Sequence, residues 1–412
     1  MTVTRKNYRR TALILGLLAA FALAGCSSRS HRNLQPVATL APGTSTVSML
    51  VATTRSAQGA APGEMFTGER GDKMSFADII ISIPPDNARK VGDIQWPEAQ
   101  TPPDPARNFV TVKADTLSKE EAIAAFDKRI VKTPKRQVLV FVHGYNTLFE
   151  DAVYRLAQIV HDSGTAALPV LFTWPSRGKL LQYGYDHESA SYSRDGLENL
   201  LRYLDKDKNV GEISILAHSM GNWVTLEALR QMAIRDKKIS PKIANIMLAA
   251  PDVDFDVFQR QINQIGVRPS LVTVFVSRDD EALAVSRRVW GDKPRLGALD
   301  PAGSHQQDLS RDRIEVVDLT DVSSSDTMRH GKFAAAPEVV RSIGVRLAQG
   351  QTLSNGHPVG IGEHFGRAAI GATSVVGTAA GAAVTAPFAI VDPHSRDQLG
   401  EHLESLGGTF GQ

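Results

Sequence analysis

The feature that most constrains this chain is a change of rhythm between Gln137 and Leu319, where short unbroken apolar runs alternate with amphipathic helical stretches. A strand wetted on one side alternates apolar and polar residues. A run such as Val138-Leu139-Val140-Phe141-Val142 has to be covered on both faces. Repeated along the stretch with helices between, this pattern predicts an α/β fold, a mostly parallel central sheet with helices on both faces. Strands are expected over 137–142, 170–173, 212–217, 243–249, 271–276 and 313–319, and helices over 148–163, 191–204, 222–235, 253–265, 281–288 and 337–348. Upstream, 47–53, 77–83 and 108–114 read as opening strands separated by turn-rich segments that include Pro84-Pro85 and Pro102-Pro103.

The strongest chemical signal is Ala217-His218-Ser219-Met220-Gly221, which stands between the apolar strand 213–216 and a helix beginning near Asn222. A serine raised on a sharp strand-to-helix turn needs small residues two positions before and two after it, and Ala217 and Gly221 meet that need. The following helix adds a favourable dipole and free N–H groups where negative charge would develop. A buried serine that caps the helix is the plainer alternative, set against the agreement of strand, elbow and helix. An acid and a histidine are then expected later in the chain, in that order. The strand 271–276 runs into Ser277-Arg278-Asp279-Asp280, which offers two carboxylates, and the chain beyond the last strand delivers His330. His305 precedes that strand and reads as a solvated loop histidine.

With these motifs the chain resembles bacterial α/β-hydrolases that carry a domain-of-unknown-function label and are related to lipases and esterases. The resemblance spans roughly 47–348 and rests on Ala52-Thr53-Thr54-Arg55, Ile83-Pro84, His143-Gly144-Tyr145-Asn146, Phe172-Thr173-Trp174-Pro175-Ser176, the serine elbow, and Ser277 through Leu283. It implies Ser219 as nucleophile, His330 as base and Asp280 as acid, with Asp279 as a rival. Asp252 and Asp254 also match the family, and helix capping is the favoured reading of both. It further implies that the backbone N–H groups of Tyr145 and Met220 hold an oxyanion. His143 is then a loop-fixing residue, and His218 points away from the nucleophile. The commonest lipase elbow has Gly where this chain has Ala217. The implied activity is cleavage of carboxylic ester-like bonds of a small acyl substrate through an acyl-enzyme; the alternatives are acyl transfer and a non-catalytic envelope module that keeps the fold. Segments 177–190 and 290–311 are the candidate substrate-selecting insertions, with Tyr183, Tyr185 and Trp290 as pocket walls.

The ends of the chain carry a different message. Arg5, Lys6, Arg9 and Arg10 precede an uncharged apolar run, 11–24, that ends in Leu23-Ala24-Gly25-Cys26. That layout is a signal peptide, and its end resembles the lipobox of bacterial lipoproteins, with Cys26 as the lipidated residue. Because Cys26 is the single cysteine, an internal disulfide and a cysteine-rich metal site are excluded. By resemblance to Gram-negative lipoproteins, Ser27 rather than Asp after the cysteine favours anchoring at the outer membrane. The expected organisation is a signal peptide over 1–25, a tether over 26–45, a hydrolase domain over 46–348 and a Gly/Ala-rich tail over 349–412. Within the hydrolase domain, 46–130 would hold the opening strands and 131–348 the catalytic core. In the tail, 368–391 approaches the length of a membrane helix but is only weakly hydrophobic. With 46 basic and 44 acidic residues, the balance argues against a nucleic-acid partner. No metal or organic cofactor is expected, because the histidines show no ligand spacing.

Overall fold

The structure, a computed structural model, describes residues 34–58, 63–97, 101–266, 271–312, 314–324 and 326–349. The expected signal peptide, Cys26 and the 368–391 segment lie outside the described residues.

Strands β1 (Ser45–Ala57), β2 (Phe66–Ile83), β3 (Val110–Leu117), β4 (Gln137–Val142), β5 (Leu168–Thr173), β6 (Glu212–His218), β7 (Ile243–Ala249), β8 (Val272–Val276) and β9 (Glu315–Asp318) form one sheet. Their order is β3-β2-β1-β5-β4-β6-β7-β8-β9. From β1 to β9 every neighbouring pair is parallel, while β2 runs antiparallel to both β1 and β3. The helices are α1 (Lys119–Ile130), α2 (Phe149–Ser163), α3 (Tyr183–Lys206), α4 (Gly221–Asp236), α5 (Phe255–Ile265), α6 (Glu281–Val289), α7 (Gln306–Arg311), α8 (Lys332–Ala335) and α9 (Pro337–Gln349). Among the described residues no helix is long and apolar enough to cross a membrane.

The unbroken apolar strands do what their composition demands. In β4, Val138, Val140 and Val142 enter one core layer with residues of α3, α4 and α5, while Leu139 and Phe141 enter the opposite layer with residues of α2 and α9. Successive side chains point to opposite faces, so a strand covered twice is apolar throughout except where a buried polar residue finds a partner, as Asn245 of β7 does in Ser214 of β6 (2.9 Å).

The connections fix where a site can form. The chain leaves β4 through α2 to reach β5 on one side, then crosses back through α3 to β6 on the other side. Right-handed crossovers in opposite directions put α2 and α3 on opposite faces. Between the carboxyl ends of β4 and β6 the covering helices part, and such a switch point is where an open α/β sheet characteristically places its ligand site. The β4 end continues into His143-Gly144-Tyr145, and the β6 end into Ser219.

Several elements depart from the sequence expectation. Strand β2 runs from Phe66 rather than from 77, because its polar first half is held by pairing with β1 across two register shifts (Arg55↔Arg70, Ala57↔Phe66) and not by an apolar pattern. Helix α1 was not foreseen; Ser118 and Glu121 close a reciprocal capping box at its start. Helix α3 begins at Tyr183, so much of the expected insertion 177–190 is its first turns. The described part of the expected tether is fastened to the domain: Leu34 is buried with its N–H on the Gly63 carbonyl (2.8 Å), and Val37 donates to Thr111 (2.9 Å).

Candidate active site

Only two residues separate β6 from α4, and the chain makes that turn by placing Ser219 at φ 54°. A non-glycine residue held there costs of order 1–3 kcal/mol, so the surroundings must enforce it. They do: Ser219 N–H donates to the Ala249 carbonyl (3.0 Å), and the buried Asn222 amide donates to the carbonyls of Ser219 (2.9 Å) and Ala249 (3.1 Å). The small residues are sterically required. A Cβ on Gly221 would stand 2.3 Å from the His143 carbonyl oxygen, and one on Gly144 would stand 2.7 Å from Cβ of Ser219. The elbow and the His143 loop therefore touch backbone to backbone.

His330 and Asp280 arrive from separate loops. His330 Nδ1 lies 2.7 Å from Asp280 Oδ2, and the Asp280 side chain is fully buried. The other carboxylate oxygen accepts from Leu283 N–H (2.9 Å) and caps α6, which fixes the acid while it holds the imidazole. Burial alone would lower the His330 pKa, but the charge and hydrogen bond of Asp280 outweigh it and raise the imidazole above its ordinary value. The Ser219 hydroxyl is not hydrogen-bonded to His330 in this conformation; such contacts commonly tighten only with substrate present.

The rival carboxylates have other work. Asp279 is paired with Lys332 (2.8 and 3.0 Å) and accepts from Ser277 (2.5 Å); despite partial burial these partners hold its pKa below the ordinary value. Asp254 caps α5 through the N–H groups of Asp256 and Val257, as expected. Asp252 does not cap a helix, contrary to expectation. Its buried carboxylate instead gathers Arg295 Nε (2.7 Å), Ser286 Oγ (2.6 Å) and the Tyr183 hydroxyl (2.5 Å), because it faces those side chains across the cleft.

Three histidines surround the elbow in different roles. His143 is buried and stacked on Trp174 (5.0 Å, 10°); its Nδ1 donates to the Gly144 carbonyl (2.8 Å), and its Nε2 accepts from Trp174 N–H (3.1 Å). Burial and the neighbouring Arg55 push its pKa well down, so it is a neutral brace for the loop. His218, expected to point away from the nucleophile, is packed against His330. Its ring lies 4.8 Å from the His330 ring, and its Nε2 donates to the His330 carbonyl (3.2 Å), because Phe333 on the far side leaves it that slot. Burial and the neighbouring His330 lower its pKa well below the usual value. His305 is half-buried against Phe255 (4.1 Å) rather than solvated.

The backbone N–H groups of Tyr145 and Met220 donate to no other acceptor among the described residues. Two buried charges that sequence reasoning did not single out shape the loop bearing Tyr145. Arg55, on β1, is 1% exposed and donates to the carbonyls of Thr147 (2.8 Å), Ser176 (2.9 Å) and Thr67 (3.1 Å) and to Thr173 Oγ1 (2.8 Å). Its burial lowers its pKa to about 10, which leaves it charged at neutral pH. Asp186, at the start of α3, accepts from Asn146 N–H (3.2 Å), Arg177 N–H (3.1 Å) and Ser176 Oγ (2.6 Å). Arg55 stood inside a quoted motif, but no local pattern signals that a charge will be buried by partners as far as 121 residues away.

Of the expected pocket walls, Tyr183 and Trp290 come together: the indole N–H donates to the Tyr183 hydroxyl (3.0 Å), and Tyr145 packs edge-on against Tyr183 at 5.0 Å. Tyr185 does not join them. It stacks under Arg177 (3.6 Å) and donates to the Gly68 carbonyl (3.1 Å), because the β1–β2 hairpin leans on this loop. A groove of about 1330 Å³ lies elsewhere, between β1–β3, α1 and α3, lined by Met74, Phe76, Phe126 and Tyr203 among others. It holds none of the candidate catalytic groups. Among the described residues no cluster of His, Cys, Asp or Glu could hold a metal ion.

A parallel sheet with helices on both faces and a serine elbow at its switch point defines the α/β-hydrolase class. The chain belongs to the family described as alpha/beta hydrolase of unknown function (DUF900), whose model matches residues 118–346, more than half of the sequence. It is also 25% identical over 164 residues to an uncharacterized protein, alr1448, of Nostoc sp. (strain PCC 7120). That similarity covers 33% of this chain and 42% of the relative, so the chain spans less than half of that protein's length.

Proposed function

We propose that this hydrolase-fold protein is a serine hydrolase that cleaves carboxylic ester-like bonds through Ser219, His330 and Asp280. The observation that carries the reading is the Asp280–His330 pair at 2.7 Å, its carboxylate fully buried, delivered to the sheet edge where Ser219 is held in a left-handed turn. An unaided serine hydroxyl is a poor nucleophile near neutral pH. In the proposed reaction His330 Nε2 takes the hydroxyl proton as Ser219 Oγ bonds to the carbonyl carbon, and the N–H groups of Tyr145 and Met220 receive the oxyanion. Collapse of the tetrahedral adduct breaks the ester C–O bond, and His330 returns the proton to the leaving alcohol. Water then attacks the acyl-enzyme by the same route, releasing the acid and restoring Ser219. Asp280 keeps Nδ1 protonated and stabilises the imidazolium.

A fluorophosphonate probe applied to the full chain, followed by peptide mapping, tests this directly. Labelling is expected on Ser219 and is expected to vanish in Ser219→Ala; labelling that survives the substitution overturns the assignment. We also propose, from the basic residues, apolar run and Leu23-Ala24-Gly25-Cys26, that the chain is exported and acylated on Cys26 in the cell envelope. Mass spectrometry of the mature N-terminus is expected to show a lipidated Cys26.

A further inference from the structure

Around the candidate site the carboxyl edge of the sheet presents an apolar rim that the catalytic reading does not use. Leu181 is 96% exposed, Leu180 73% and Val289 61%, and Val285, Trp290 and Met328 are also exposed. They come from three segments tied together through site residues. The Tyr145 hydroxyl donates to the Leu180 carbonyl, Trp290 donates to Tyr183, and Glu281 N–H donates to the Met328 carbonyl (3.1 Å). Single exposed apolar residues need no explanation, but several gathered at one mouth mark a surface that another apolar phase covers. Lys179 and Arg288 are exposed at the same rim, and among the described residues neither has an ion-pair partner. The rim thus joins apolar side chains to exposed positive charge, offset only in part by Asp292 near Arg288, the combination that suits an anionic lipid surface.

The path of the chain points the same way. Strand β1 pairs with Thr173 at Thr53, on the site edge of β5, and continues to Ala57, so the β1–β2 hairpin projects past that edge. Leu34 is fastened to Gly63 at the tip of this hairpin, and the hairpin rests on the rim segment through Tyr185 on Gly68 and Arg177 on Glu69. The chain therefore enters the domain against the β1–β2 hairpin, on the α2 face of the sheet, and runs on to Thr111 of β3. Cys26 stands eight residues before Leu34, a reach of at most about 28 Å when fully extended.

We infer that the carboxyl edge docks on a lipid bilayer bearing anionic headgroups, with Leu180, Leu181, Val285, Val289, Trp290 and Met328 in the boundary between headgroups and acyl chains. Ser219 then faces the membrane, and the substrate is an ester-bearing lipid drawn from it. The substrate clause rests on the proposed hydrolase activity; the docking clause does not.

The test uses the full acylated chain reconstituted into phosphatidylcholine–phosphatidylglycerol vesicles, with and without brominated acyl chains that quench tryptophan on contact. Quenching is expected for the wild type, is expected to be largely lost in Trp290→Phe, and is expected to disappear in Leu181→Glu/Val289→Glu, whose near-UV circular dichroism reports whether the fold is kept. Should that double variant misfold, Leu181→Ser alone is expected to weaken the quenching. Turnover of a vesicle-borne ester is expected to fall at least about tenfold in the double variant, while turnover of a water-soluble ester changes less than about twofold. Equal wild-type fluorescence in both vesicles, or quenching unchanged in a folded double variant, overturns the docking. A rim closed by a second copy would leave Trp290 unquenched and the protein dimeric, and overturns it as well. Quenching without any ester turnover keeps the docking and removes the substrate clause.

Discussion

The two halves of the sheet are held by different physics. From β4 to β9 the strands are short and almost wholly buried, and the loops at their carboxyl ends carry Ser219, Asp280 and His330. In β1–β3 the strands are long, and the outer half of β2, from Phe66 to Ser75, is polar and largely wetted, held by pairing with β1. The match to the hydrolase family begins at 118, just after β3 ends at Leu117. Yet the N-terminal arm reaches the site, because Arg55 crosses from β1 to grip the carbonyls that set the Tyr145 loop. In the proposed mechanism the parallel half supplies the reacting groups, and the arm supplies the brace that holds the Tyr145 loop in place.

The sharpest test of that division is the acid. Asp280→Asn is expected to lower kcat roughly 10⁴-fold, since the imidazole loses the partner that sets its tautomer and charge. Asp280 raises the His330 pKa, so the acidic limb of the rate profile, which reports the need for a neutral base, should lie above the ordinary value of 6.5 in the wild type. It should move to lower pH in the variant, where burial alone remains. Asp279→Asn is expected to leave most activity and the limb in place, because Asp279 is paired with Lys332. Comparable losses in the two variants, measured as pH profiles of kcat/KM, would refute the assignment of Asp280.

The arm is tested by Arg55→Met, which removes a donor from three carbonyls, one buried and two half-buried. Chemical denaturation should register a loss of about 3 kcal/mol or more. Activity should fall about ten- to a hundredfold through the displaced loop, with the acidic limb unmoved. A limb that shifts with Arg55 would mean the arm acts on the base itself.

A smaller effect lies at the seam between the halves. Glu150, in the first turn of α2, is pushed up to about 7 from the ordinary 4.5, chiefly by burial, which outweighs the attraction of Arg55. Its ionised form therefore opposes folding: not below about pH 4.5, increasingly between there and 7, and fully above. Glu150→Gln is expected to raise stability by up to about 3 kcal/mol at pH 8 and to change little at pH 4, as read by urea unfolding at the two pH values. Equal effects at both would show that the carboxyl is not held in this way.

The sequence carried a good deal of this by itself. The doubly covered strands were legible because burial on both faces selects apolar residues along most of their length, and the elbow was legible because a tight turn demands small neighbours. Ser219, His330 and the adjacent pair Asp279 and Asp280 could therefore be named as candidates from strand ends and chain order. Tertiary structure decided what depends on distant partners: which of two adjacent carboxylates meets the imidazole and which meets Lys332, that His218 lies against the base, that Arg55 and Asp186 are buried beneath the Tyr145 loop, and how far β2 extends. Local patterns record the medium that a residue faces at each turn of the chain. They do not record which far-off charge will be there to meet it, since that pairing exists only once the sheet has closed.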